Sequence, residues 1–65
     1  MNRTERVRRE LLRRNPGLEI PKDNRGGHMK IFMNGRLIGI LPRTLRAEGL
    51  SPNLISQLRR RGVVL

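Results

Sequence analysis

The chain contains no cysteine, tryptophan or tyrosine, and it has one phenylalanine and one histidine. Without cysteine there is no disulfide scaffold, no thiolate zinc site and no cysteine nucleophile, and nothing in the composition points to an oxidising compartment. With Phe32 as the sole aromatic, base stacking of the single-strand-binding kind has at most one platform. Acidic residues are scarce too. Five scattered carboxylates and one imidazole give no cluster with metal-ligand spacing and no carboxylate pair with motif spacing. Walker and dinucleotide fingerprints are missing, so no cofactor is implied. No apolar run approaches the roughly 20 residues of a membrane span, and the first residues are rich in Arg and Glu without the apolar stretch of a signal peptide. The expectation is a soluble cytoplasmic protein with no membrane partner.

What the sequence has in excess is positive charge. Its 65 residues carry fifteen Lys and Arg against five Asp and Glu, a formal charge of +10. This length allows one small domain, residues 1–65, whose core supplies at most about 3–5 kcal/mol of net stability without disulfides, metals or a partner. Thirteen of the basic residues are Arg and only Lys22 and Lys30 are Lys. Guanidinium forks match phosphate oxygens bidentately, which an ammonium does not. Such a field on so small a body draws in polyanions, nucleic acid first among them and an acidic partner protein second.

Local signals divide the chain cleanly. Asn2-Arg3-Thr4-Glu5 reads as a capping box, and Val7, Leu11 and Leu12 fall on one helical stripe. Arg13 and Arg14 complement the carbonyl end, and Asn15-Pro16-Gly17 stops a helix over 3–14. Leu18–Ile20, closed by Pro21, suits an edge strand. Asn34-Gly35 between His28–Met33 and Arg36–Leu41 predicts a two-residue type I′ hairpin, since both turn positions need positive φ. Ser51-Pro52 caps a second helix over 52–61 with Leu54, Ile55 and Leu58 as its buried stripe, Leu50 and Ile55 placed for a hydrophobic staple, and Gly62 just past its end. The tail Val63-Val64-Leu65 either folds back or pairs with a partner. The order helix, strand, hairpin, helix predicts an α+β two-layer sandwich with a three-stranded antiparallel sheet and both helices on one face.

An unbroken hairpin register would place Met33 opposite Arg36, Ile31 opposite Ile38 and Met29 opposite Ile40, all on the core side. The reverse side would then carry His28, Lys30 and Phe32 opposite Leu41, Gly39 and Leu37. The only histidine and one of two lysines would therefore project outward, while Met29 and Met33 fill the core.

Arg25-Gly26-Gly27-His28 leads into that strand. Paired glycines let the backbone approach a phosphate closely, and an exposed imidazole can accept and then donate a proton near neutral pH. RNA cleavage needs a base for the 2′-hydroxyl, an acid for the leaving 5′-oxygen and cations for the charge on phosphorus. Lys30 and Arg43 are the nearest candidate cations, and Arg25 is placed to hold a phosphate. The plain alternative is that His28 merely begins a strand and the glycines merely form a loop.

Together, the first helix, the Asn24-Arg25-Gly26-Gly27-His28 approach, the Asn34-Gly35 hairpin, the Leu41-Pro42-Arg43-Thr44 exit and the Arg-rich last helix resemble the HicA family of small toxins (mRNA interferases), including HicA-like proteins of phages and prophages. The resemblance covers roughly residues 5–61. It implies a fold like that of double-stranded-RNA-binding domains, metal-independent RNA cleavage dependent on one histidine, here His28, and neutralisation by a HicB-type antitoxin. Gly27 stands where the family commonly has serine, and Met29 where a second histidine often stands.

Two readings follow. One is a HicA-like ribonuclease with His28 as general acid or base, Lys30 and Arg43 on phosphate, and both Arg-rich helix ends, Arg59 and Arg60 among them, as the RNA footprint. The other is a non-catalytic nucleic-acid-binding regulator of phage or plasmid origin that works through arginine–phosphate contacts.

Overall fold

In the computed structural model, residues 2–22, 28–45 and 47–65 are described. Asn2 takes the extended conformation of an N-cap and its side chain accepts from the Glu5 N–H at 2.8 Å, which starts α1 (Arg3–Arg14). The helix ends at Asn15, whose N–H donates to the Leu11 carbonyl at 3.0 Å. Asn15 is itself buried, and its side chain ties the end of α1 to the C-terminal tail. The Asn15 Nδ2 donates to the carbonyls of Leu11 and Val64, both at 2.9 Å, and its Oδ1 accepts from the Val64 N–H at 2.7 Å. The tail therefore folds back, with Val63 buried in the core.

β1 (Leu18–Glu19) is one residue shorter than expected, and the Leu18 N–H donates to the Asn15 carbonyl at 2.9 Å. β2 (Met29–Met33) and β3 (Arg36–Leu41) form the hairpin, with Asn34 at φ 52° and Gly35 at φ 82°, the positive values a type I′ turn requires. The sheet order is β1-β2-β3 and both pairings are antiparallel. Ser51 accepts from the Leu54 N–H at 3.2 Å, Pro52 follows, and α2 (Pro52–Arg60) runs to Arg61 and the positive-φ Gly62. The fold is α+β, and among the described residues no helix is long and apolar enough to cross a membrane.

The hairpin register departs from the unbroken one. Met33 pairs with Arg36 and Phe32 with Leu37 as expected, but a bulge follows between Phe32 and Ile31. Beyond it Ile31 opposes Gly39, Lys30 opposes Ile40 and Met29 opposes Leu41, leaving Ile38 as the extra residue. Ile38 and Gly39 are consecutive and both buried, whereas simple alternation would put only one of them inside. Two expectations reverse in consequence. Ile40, expected in the core, is 50% exposed, and Leu41, expected outside, is fully buried. β2 is not turned over, because the extra residue belongs to β3: Ile31 is fully buried, Met29 and Met33 pack against the core, and Lys30 remains exposed.

Leu11 from α1, Leu54 and Leu58 from α2, and Leu45 from the β3–α2 connection belong to the same buried cluster as Leu18, Ile31, Ile38 and Leu41. Gly39 lets α2 come close to β3. A Cβ built there would lie 3.3 Å from a methyl of Leu54 and 3.3 Å from one of Leu58. Gln57 adds a polar tether by donating from Nε2 to the Ile38 carbonyl at 2.9 Å, so the backbone oxygen of the bulge residue is satisfied.

Candidate nucleic-acid interface

His28 precedes β2 and is exposed, as the sequence implies. Its ring is oriented by the chain leaving β3: the Arg43 N–H donates to His28 Nδ1 at 3.3 Å. The Arg43 main chain is held on its other side as well, its carbonyl accepting from the Thr4 hydroxyl at 2.9 Å. The same Thr4 oxygen accepts from the Leu45 N–H at 3.2 Å, and Arg3 reaches the Leu45 carbonyl at 3.4 Å. A buried threonine in the first turn of α1 thus positions Arg43, and Arg43 positions the imidazole. Sequence reading placed Thr4 only inside a capping box. Its burial was not legible, because its partners lie about forty residues away, at separations of 39 and 41.

The Arg43 bond has a chemical consequence. Nδ1 can accept only when it carries no proton, so the neutral ring that fits this contact has its hydrogen on Nε2. The remaining ring nitrogen of His28, Nε2, is then a donor, suited to a phosphate oxygen. Lys30 lies two residues along the strand and is exposed, as is Arg43. Arg25, Gly26 and Gly27, the remaining members of the predicted approach, lie outside the described residues.

Charge is distributed unequally between the helices. Glu5 pairs with Arg8 at 3.2 Å, Arg9 at 3.4 Å and Lys22 at 3.5 Å, and Glu10 pairs with Arg14 at 2.9 Å and with Arg13. Burial works to raise the Glu5 carboxyl, but Lys22, Arg8 and Arg9 together outweigh it and hold the group below the usual carboxylate range. Glu10 is lowered chiefly by its hydrogen bond from Arg13, against a raising effect of burial and with further help from Arg14, and Arg13 is correspondingly raised. α2 contains no acidic residue. Arg59, Arg60 and Arg61 are exposed and have no acidic partner among the described residues. Glu10 thus offsets part of the charge at the α1 end, whereas nothing acidic offsets the α2 end among the described residues.

The candidate residues fall into two groups. Thr4, Arg43 and His28 gather at the start of α1, whereas the tail that follows Arg59–Arg61 is bonded to Asn15 at its end. From Thr4 to Asn15 the helix rises about 16 Å. His28, with Arg43 bonded to it and Lys30 two residues along, forms one group, and Arg59, Arg60 and Arg61 at the end of α2 form a second. Along α2 the exposed Asn53, Ser56 and Gln57 lead up to the second group; their spacing was readable, but uncharged polar residues give no strong signal alone. Among the described residues no three of His, Asp and Glu come close enough to hold a metal ion.

No family model, curated protein or solved structure matches this chain. Its class is set by its own fold and surface: a small, strongly basic α+β domain with two exposed cationic groups and one oriented imidazole.

Proposed function

We propose that this protein binds nucleic acid through arginine–phosphate contacts. The observation that carries the reading is positive charge left over after every ion pair is made: α1 sets six arginines against Glu5 and Glu10 alone, and Arg59–Arg61, Arg43 and Lys30 have no acidic partner among the described residues. Phosphate is the anion whose geometry a guanidinium fork fits, and His28 Nε2–H adds a neutral donor to the same kind of oxygen. Affinity should fall steeply with added salt, because each neutralised phosphate releases counterions.

A second reading, metal-independent RNA cleavage of the HicA type in the cytoplasm with a HicB-type antitoxin as partner, is favoured by the exposure and fixed orientation of His28. In it His28 takes the 2′-hydroxyl proton, the resulting oxygen attacks phosphorus, and the proton is returned to the leaving 5′-oxygen, with Arg43 and Lys30 steadying the charge. Nδ1 is engaged by the Arg43 N–H, so the base step needs Nε2 without its hydrogen. That tautomer sets an Nδ1–H against the Arg43 N–H and breaks the bond that orients the ring. Binding needs no such rearrangement, which ranks it first.

One experiment separates the two. The protein is incubated with labelled RNA in EDTA, and retention and product are measured together. Binding alone predicts salt-sensitive retention with intact RNA, and His28→Ala weakening retention only a few-fold. Cleavage that vanishes in His28→Ala while retention persists establishes the second reading. Absence of retention at low salt of the RNA, and of labelled duplex DNA tested alongside it, refutes both.

A further inference from the structure

We infer that the outer face of α2 reads base edges in the major groove of duplex DNA. The inference rests on the nucleic-acid reading above and specifies its substrate. At 100° per residue Asn53, Ser56, Gln57 and Arg60 occupy a sector of roughly 100°, turned away from the buried Leu54 and Leu58, with Gln57 on its β3 side. All four are exposed and together they line a shallow depression with Arg61. Arg59 and Arg61 fall on the two flanks of that crest. The arrangement is uncharged hydrogen-bonding groups and one arginine along the ridge, with a cation on each shoulder and no carboxylate anywhere on the helix.

Each part has a counterpart in a groove. A helix about 10–12 Å across fits the B-form major groove, about 12 Å wide, with a phosphate wall on either side for Arg59 and Arg61. On its floor an amide suits adenine and a guanidinium suits guanine. Asn53 and Ser56 make no side-chain hydrogen bond among the described residues, and Gln57, steadied by its Nε2 bond to the Ile38 carbonyl, keeps Oε1 as an acceptor. Two other nucleic-acid forms fit less well. The A-form major groove is too deep and narrow for a helix, and single strands would find only the half-buried Phe32 to stack upon. Nine helical residues span about 13 Å, so one copy covers about four base pairs.

The test is selection of the full-length protein on a randomised duplex DNA library, followed by anisotropy titrations at one salt concentration against the selected duplex, a scrambled duplex and the selected sequence as duplex RNA. The expected result is a short enriched motif. Asn53→Ala and the charge-preserving Arg60→Lys should each cut the preference for the selected over the scrambled duplex by about tenfold, with little change in scrambled affinity. Arg59→Ala and Arg61→Ala should weaken both duplexes alike and reduce the salt slope by about one each. These side chains are exposed, so circular dichroism of the variants should match the parent. Equal affinity for selected and scrambled DNA, or equally tight binding of the RNA duplex, overturns the inference while leaving salt-dependent nucleic-acid binding in place. Failure to bind any polynucleotide overturns both.

Discussion

Asn15 carries more of the structure than its exposed neighbours Pro16 and Gly17, and it does so entirely through hydrogen bonds. Its backbone closes α1 and receives β1, and its amide holds both polar groups of Val64. Alanine at this position strands the Val64 N–H and carbonyl in a partly buried site, and an unsatisfied group of that kind costs about 1–3 kcal/mol. Urea denaturation of Asn15→Ala should therefore show a loss of about 2–3 kcal/mol, with Val63 becoming accessible. A loss no larger than that of an exposed substitution such as Pro16→Ala would show that the tail is held by Val63 packing alone. The sequence made the stop at Asn15-Pro16-Gly17 readable, since turn chemistry is local. It left the tail undecided, because Asn15 and Val64 stand 49 residues apart. The same reason hid the Thr4–Arg43 link.

At the scale of elements, caps and turn were legible because each depends on a few adjacent residues: α1 has its expected span and the Asn34-Gly35 turn its expected positive φ values, whereas β1, β2 and α2 are each one residue shorter than expected. The pairing beyond the turn was not legible. Counting outward by twos assumes an unbroken ladder, and the one warning was Gly39, an isolated glycine inside a strand. Its role is steric. With a side chain there, β3 could not lie so close to Leu54 and Leu58, and the bulge at Ile38 turns that bare position toward α2. Gly39→Ala should lower stability by about 1–2 kcal/mol through overpacking, pushing α2 away from β3. Gly35→Ala should cost a similar roughly 1–2 kcal/mol for a different reason, positive φ in open space. Shortening Leu58 distinguishes them: thermal melts of the double variants should show partial rescue of Gly39→Ala and none of Gly35→Ala. Rescue of both, or of neither, would contradict the close approach as the purpose of Gly39.

For the molecule as a whole, the deciding quantity is how few carboxylates oppose so many guanidiniums, and its stability in acid turns on Glu5 and Glu10. Each is held below its ordinary range in the folded chain, so each contributes stability that is present above the unfolded carboxylate value, about 4.3, and lost as pH falls through the lower folded value. Protonating all five acids and the histidine would also raise the formal charge from +10 to 10 + 5 + 1 = +16, adding self-repulsion. The thermal midpoint should accordingly stay level from neutral pH down to the ordinary carboxylate range and fall below it. Glu10→Gln should flatten that fall, since the side chain that loses its advantage in acid is no longer there. The same substitution should release Arg13 and Arg14 from their internal partner. At neutral pH the variant should then bind duplex DNA more tightly than the parent, with a salt slope steeper by about one to two, the number of cations set free. A steeper slope with an unchanged acid profile would mean that Glu10 serves only to withhold its arginines. An unchanged slope would mean that Arg13 and Arg14 lie off the binding surface, leaving Arg59–Arg61 to carry it.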